Sequence, residues 1–146
     1  MNYYLLVATV SLVLQLAILS LLLGGFELKR RKNFRLHGLV MLVALVAHIT
    51  GILAIMVPSF VVALIPITLE NPTSMIGLLA PVHAAAGTLV TVLGVWIMAS
   101  WRLRQSTEYC MPKKKYMRAT LVAWLITISL GVSLYLALNW TVLFGS

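Results

Sequence analysis

Three histidines, His37, His48 and His83, lie within stretches that are otherwise almost wholly apolar. Imidazole is the commonest protein ligand for transition metals and for haem iron, and a polar ring placed where lipid rejects it marks a site by default. At 100° per residue, His37, Met41, Ala44, His48 and Gly51 fall within about 80° of arc on one helix. His37 and His48 differ by about 20° in azimuth and lie about 16.5 Å apart along the axis. A second stretch repeats the pattern with His83, Gly87, Gly94, Met98 and Trp101 on a common face. Glycines on such a face let a flat macrocycle, or another helix, approach the backbone. A third stretch offers Trp124, Gly131 and Tyr135 on one side, and Gln15 stands near the centre of the first apolar run.

Depth decides which histidines could share a metal. His48 is about nine residues from the end of its helix at Val57, and His83 is about seven residues beyond Ile76, so the two stand at similar heights. That pair suits bis-imidazole ligation of haem b in a bundle core, with Gly87 and Gly94 giving the ring room. His37 lies near the opposite surface, where Met98, or Met41 one turn away, could complete a second site, and where it could instead meet a haem propionate. His37, Met41, His48 and Met98 form an alternative set for Cu(I), which favours soft and imidazole ligands. The plainer reading is that a lone intramembrane histidine hydrogen-bonds a neighbouring helix and that glycine faces reflect close packing. Most of the seven methionines serve as apolar filler.

Catalytic machinery is not evident. The three carboxylates, Glu27, Glu70 and Glu108, all stand in or beside loops, so no acid/base pair or Ser/His/Asp set is placed in the core. There is no phosphate-binding glycine loop, CxxC or HExxH. Without broken-helix pairs or a buried charge to couple to an ion, the pattern does not suit a transporter either.

The elements that must carry these residues are four apolar segments at about 3–25, 36–57, 76–101 and 119–140, each near the twenty residues that a bilayer core of roughly 30 Å requires. With 62% hydrophobic and 10% charged residues over 146 positions, the chain reads as a single all-α transmembrane domain, 1–146. All eleven Lys and Arg residues fall in two stretches, Lys29 to Arg35 and Arg102 to Arg118, which the positive-inside rule puts on the cytoplasmic side. An up-down-up-down bundle with both termini outside follows, in a bacterial or archaeal plasma membrane. The net charge of +8 needs no nucleic acid to explain it. Tyr3, Tyr4 and Trp140 at the outer ends, and Phe34 and Trp101 at the inner ends, suit aromatic belts. The segment 58–69, bounded by prolines, is expected to break from the second helix as an interfacial or re-entrant stretch, followed by a turn at Asn71-Pro72-Thr73. Asn139-Trp140-Thr141 matches a glycosylation acceptor pattern by chance, and Cys110 has no partner within the chain.

From about Arg35 to Leu138 the sequence resembles a family of small bacterial and archaeal four-helix membrane proteins that includes the CtaM-type assembly factors. The points of likeness are His37 with Met41, His48, His83, and a run on the last helix: Arg118, Thr120, Trp124-Leu125, Gly131-Val132 and Tyr135-Leu136. Where that family carries a further histidine in the basic loop, this chain has Lys113. The resemblance implies a part in assembling or supporting haem-copper terminal oxidases. The expected function is therefore a haem-binding, cytochrome b-like membrane protein of the respiratory chain, in oxidase maturation or as an electron-carrying subunit. The alternatives are copper handling and a metal-free accessory subunit of a membrane complex.

Overall fold

Apolar side chains dominate every long segment, and in hydrocarbon a segment can satisfy its own backbone only by becoming a helix. In a computed structural model, which describes residues 3–101 and 114–144, the chain is helical in four long pieces. These are α1 (Tyr3–Arg30), α2 (Phe34–Glu70), α3 (Met75–Trp101) and α4 (Lys114–Phe144), and all four are long and apolar enough to cross a membrane. Arg102, Arg104, Glu108, Cys110 and Lys113 lie outside the described residues.

The ends of the helices show why the chain turns where it does. Past Arg30, Lys32 takes a left-handed conformation, φ 60°. Its N–H donates to the Lys29 carbonyl and the Asn33 N–H to the Leu28 carbonyl, each at 3.0 Å. These two bonds close α1 with a Schellman motif. Asn33 then caps α2, accepting the Leu36 N–H on Oδ1 at 3.2 Å. At the other end the chain turns at Asn71-Pro72-Thr73, as the sequence suggests, and Ser74 Oγ accepts the Gly77 N–H at 3.0 Å while donating to the Asn71 carbonyl at 2.7 Å.

The expected break after Val57 does not occur: α2 continues through Pro58 and Pro66 to Glu70, 37 residues in all. Two π-helical turns, at Ile52–Met56 and Phe60–Leu64, shift the hydrogen bonding to i−5, with Val57 N–H reaching the Ile52 carbonyl and Ile65 N–H the Phe60 carbonyl. A wider turn beside each proline accommodates its ring and its missing N–H without ending the helix. At about 55 Å, α2 exceeds a bilayer core of roughly 30 Å and must tilt or emerge from it.

The most extensive packing is α1 on α2 and α3 on α4; narrower contacts of α1 with α4 and α2 with α3 join the two pairs. All four helices contribute to the central cluster of Ile18, Leu22, Ala44, Val90 and Trp124. The outward face is apolar, with Leu53, Val62 and Leu69 each more than 60% exposed. Such a surface suits contact with a lipid bilayer and would be a liability in water.

Close approach between α2 and α3 depends on Gly38, since a β-carbon there would fall within the Trp101 ring. Gly38→Val is expected to cost about 1–3 kcal/mol by overpacking. Gly24, where a β-carbon would meet nothing within 4 Å, should tolerate alanine with a gain of about 0.5–1 kcal/mol. Unfolding midpoints in detergent check both, the first falling and the second holding or rising.

Candidate functional site

His48 is 3% exposed, and its ring meets every helix of the bundle. From α1, Gln15 Nε2 lies 3.4 Å from Nδ1; from α3, Thr91 Oγ1 lies 3.3 Å from Nε2; from α4, the Trp124 ring packs at 4.5 Å between centroids, tilted by 49°. The proton positions follow from the partners. Thr91 donates its one hydroxyl hydrogen to the Gly87 carbonyl at 2.7 Å, so towards His48 it can only accept. Nε2 therefore carries the proton, and Nδ1 accepts from the Gln15 amide. The neutral ring is held from both nitrogens.

His83 is half-buried and donates from Nδ1 to the Thr127 carbonyl at 3.1 Å, which leaves Nε2 as the nitrogen with a lone pair. Its ring lies against Gly131, where a β-carbon would come within 2.9 Å of Cε1. Gly131 is thus small because an imidazole packs on it. His48 and His83 do not present two free nitrogens to a common iron. Ligation by His48 requires displacing Gln15, or displacing Thr91 and shifting the proton, so the outer pair does not fit bis-imidazole haem in this arrangement.

His37 is built differently. Asn33 starts the helix so that His37 falls in the first turn of α2, against α1, and its Nδ1–H donates to the Gly25 carbonyl at 2.7 Å. Carbonyl anchoring of one ring nitrogen fixes the tautomer and leaves Nε2 basic, the usual arrangement behind a metal-binding histidine. His37 lines a cavity of about 330 Å³, at the lower end of the range for small-molecule sites. Met41, Met98, Gly94, Trp101 and Trp124 share the lining, and Lys29, Arg30, Lys114 and Arg118 border it where α1 and α3 end and α2 and α4 begin. The Met41 methyl lies against Gly25, so Met41 is partly packing. An imidazole anchored through Nδ1, thioethers and an apolar cavity meet at this end of the bundle, a donor set that suits a haem or a soft metal ion.

The remaining candidates sort by contact. Gly94 lies against Leu45 and lines the cavity, whereas Gly87 faces Thr127 and accepts the Thr91 hydroxyl. Tyr135 donates to Thr9 Oγ1 at 3.1 Å, because the Thr9 hydroxyl hydrogen is committed to the Leu5 carbonyl at 2.7 Å. Asn139 is buried, with its amide on the Tyr135 carbonyl at 2.9 Å. The sequence reading passed over Thr91 and Thr127, the two partners of the outer histidines. Thr91 had a signal, since it sits two turns from His83 on the His83–Gly87–Gly94 face. Thr127 offers its carbonyl, which carries no side-chain signature. Among the described residues no three His, Cys, Asp or Glu side chains converge on one point.

Comparison with family models, with curated proteins and with solved structures finds no match to this chain.

A double-mutant cycle tests the His48 link. Gln15→Leu and His48→Leu are expected to show a coupling of about 0.6–1.7 kcal/mol, the range of interhelical hydrogen bonds in membranes. Reversible unfolding in detergent provides the measurement, and strict additivity would remove the bond from the account.

Proposed function

We propose that this protein is a haem-binding membrane protein of the respiratory chain, acting in haem-copper oxidase maturation or as an electron-carrying subunit, with His37 as its principal iron ligand. The observation that carries this reading is the His37 ring, anchored through Nδ1 in the wall of an apolar cavity that Met98 also lines. Relative to expectation from depth alone, the proposed site moves from the His48 and His83 pair to the basic end of the bundle. When bound, haem supplies one-electron redox chemistry. His37, through Nε2, and Met98 would hold the iron, and Trp101 and Trp124 would keep water from it. A His/Met pair favours a higher potential than two imidazoles.

The oxidase role rests on the resemblance to the CtaM-type family, and three of the residues that carry it, Arg118, Thr120 and Trp124, line this cavity. Copper handling is the second reading, favoured by the grouping of His37, Met41 and Met98 around one space. The orientation we propose is up-down-up-down, with both termini outside and the basic end in the cytoplasm of a bacterial or archaeal cell. It is supported by the contacts of residue 15 with 48, 25 with 37 and 83 with 127, and by the clustering of Lys and Arg.

An optical spectrum of the purified protein tests the function. A reduced-minus-oxidised b-type band is expected, lost in His37→Ala and retained in His48→Gln. Loss in His48→Gln with retention in His37→Ala would return the site to the outer pair. A pigment-free protein with bound copper supports the second reading, and a protein with neither is the accessory subunit. Reporter tags on the two termini should both read non-cytoplasmic; a cytoplasmic N-terminus contradicts the orientation.

A further inference from the structure

The mouth of the cavity carries more positive charge than the described carboxylates neutralise. Glu27 accepts from Arg31 Nε at 3.2 Å and lies 3.6 Å from Arg30 Nη1, so of the four cations that border the cavity it serves Arg30. Among the described residues, Lys29, Lys114 and Arg118 have no carboxylate partner; Lys29 Nζ reaches only the Met117 sulfur, 3.7 Å away. Behind these cations the walls are apolar: Leu22, Phe26, Leu45 and Ile97. Unneutralised cations over an apolar slot between helices suit an amphiphile with an acidic head, and a bilayer supplies one at this depth.

We propose that the cavity is a binding site for an anionic phospholipid, its phosphate held by Lys29, Lys114 and Arg118 and part of one acyl chain lodged in the slot. The charge complementarity is specific to the head: a zwitterionic phosphatidylcholine brings its own ammonium group to the same cations. The rim cations and the apolar wall that hold the lipid are not the proposed iron ligands, but a haem at His37 would fill the same cavity, so the lipid is its occupant when haem is absent.

Two buried tryptophans make the site observable. Trp101 and Trp124, 5% and 4% exposed, line the cavity, whereas Trp96 and Trp140, 45% and 59% exposed, face outward. With Trp96→Phe and Trp140→Phe introduced, quenching of the remaining fluorescence by lipids with brominated chains reports a chain inside the cavity. Brominated phosphatidylglycerol is expected to half-quench at a mole fraction below that of brominated phosphatidylcholine by roughly fivefold for each engaged cation, the preference that about 1 kcal/mol gives, so roughly a hundredfold for all three. In Lys29→Gln/Arg118→Gln the preference should fall to about fivefold, the share of Lys114 alone. Arg35→Gln/Lys115→Gln removes the same charge away from the cavity and should leave the preference intact. Equal quenching by the two lipids in the parent overturns the proposal. So does an equal loss of preference in the Arg35/Lys115 variant, which would reduce the effect to general surface charge. A lipid preference with no haem or copper in the protein leaves this site standing while the metal reading fails.

Discussion

The bundle depends on one ring. In a hydrocarbon solvent the hydrophobic effect does not draw helices together, so association falls to close packing and to polar side chains that find one another across helices. His48 does both. It takes a hydrogen bond from α1, gives one to α3 and stacks on a tryptophan of α4, all from within α2. Around it, Ile18, Ala44 and Val90 are almost fully buried, small or compact residues that let four helices approach the same point. Further polar links repeat the principle pairwise, Tyr135 to Thr9 between α4 and α1 and His83 to Thr127 between α3 and α4. In each, the hydroxyl hydrogen of a threonine or the fixed polarity of a carbonyl decides which partner donates.

Satisfaction at the centre sharpens the contrast with the basic end. There a cavity opens between the helices, Trp101 packs against Gly38 as part of its wall, and among the described residues His37 is tied by one nitrogen rather than two. A buried polar ring satisfied on both sides rigidifies a core; one satisfied on a single side, beside a cavity, is poised to bind. The same end gathers Lys29, Arg30, Lys114 and Arg118, and the proposed orientation and the proposed lipid site both rest on cations of this group.

Much of this was legible in the sequence. Segment count, the Asn71-Pro72-Thr73 turn and the inward faces of His37, His48 and His83 follow from length and periodicity, because those depend only on local chain geometry. The continuation of α2 past Pro58 and Pro66 was not legible, since a π-turn that spares a proline has no residue signature of its own. Nor was the engagement of His48. Periodicity puts a side chain on a face and depth puts it at a height, but whether a nitrogen is free depends on the register of neighbouring helices. Thr91 settles that for His48 only because its own hydrogen is committed to Gly87.

The account therefore turns on opposite tautomers in two histidines of one helix. Nitrogen-15 NMR of histidine-labelled protein in bilayers, with the rings neutral, reads them directly. His48 should carry its proton on Nε2 and His37 on Nδ1. An Nε2-protonated His37, or an Nδ1-protonated His48, would contradict the distinction between the structural histidine and the binding one.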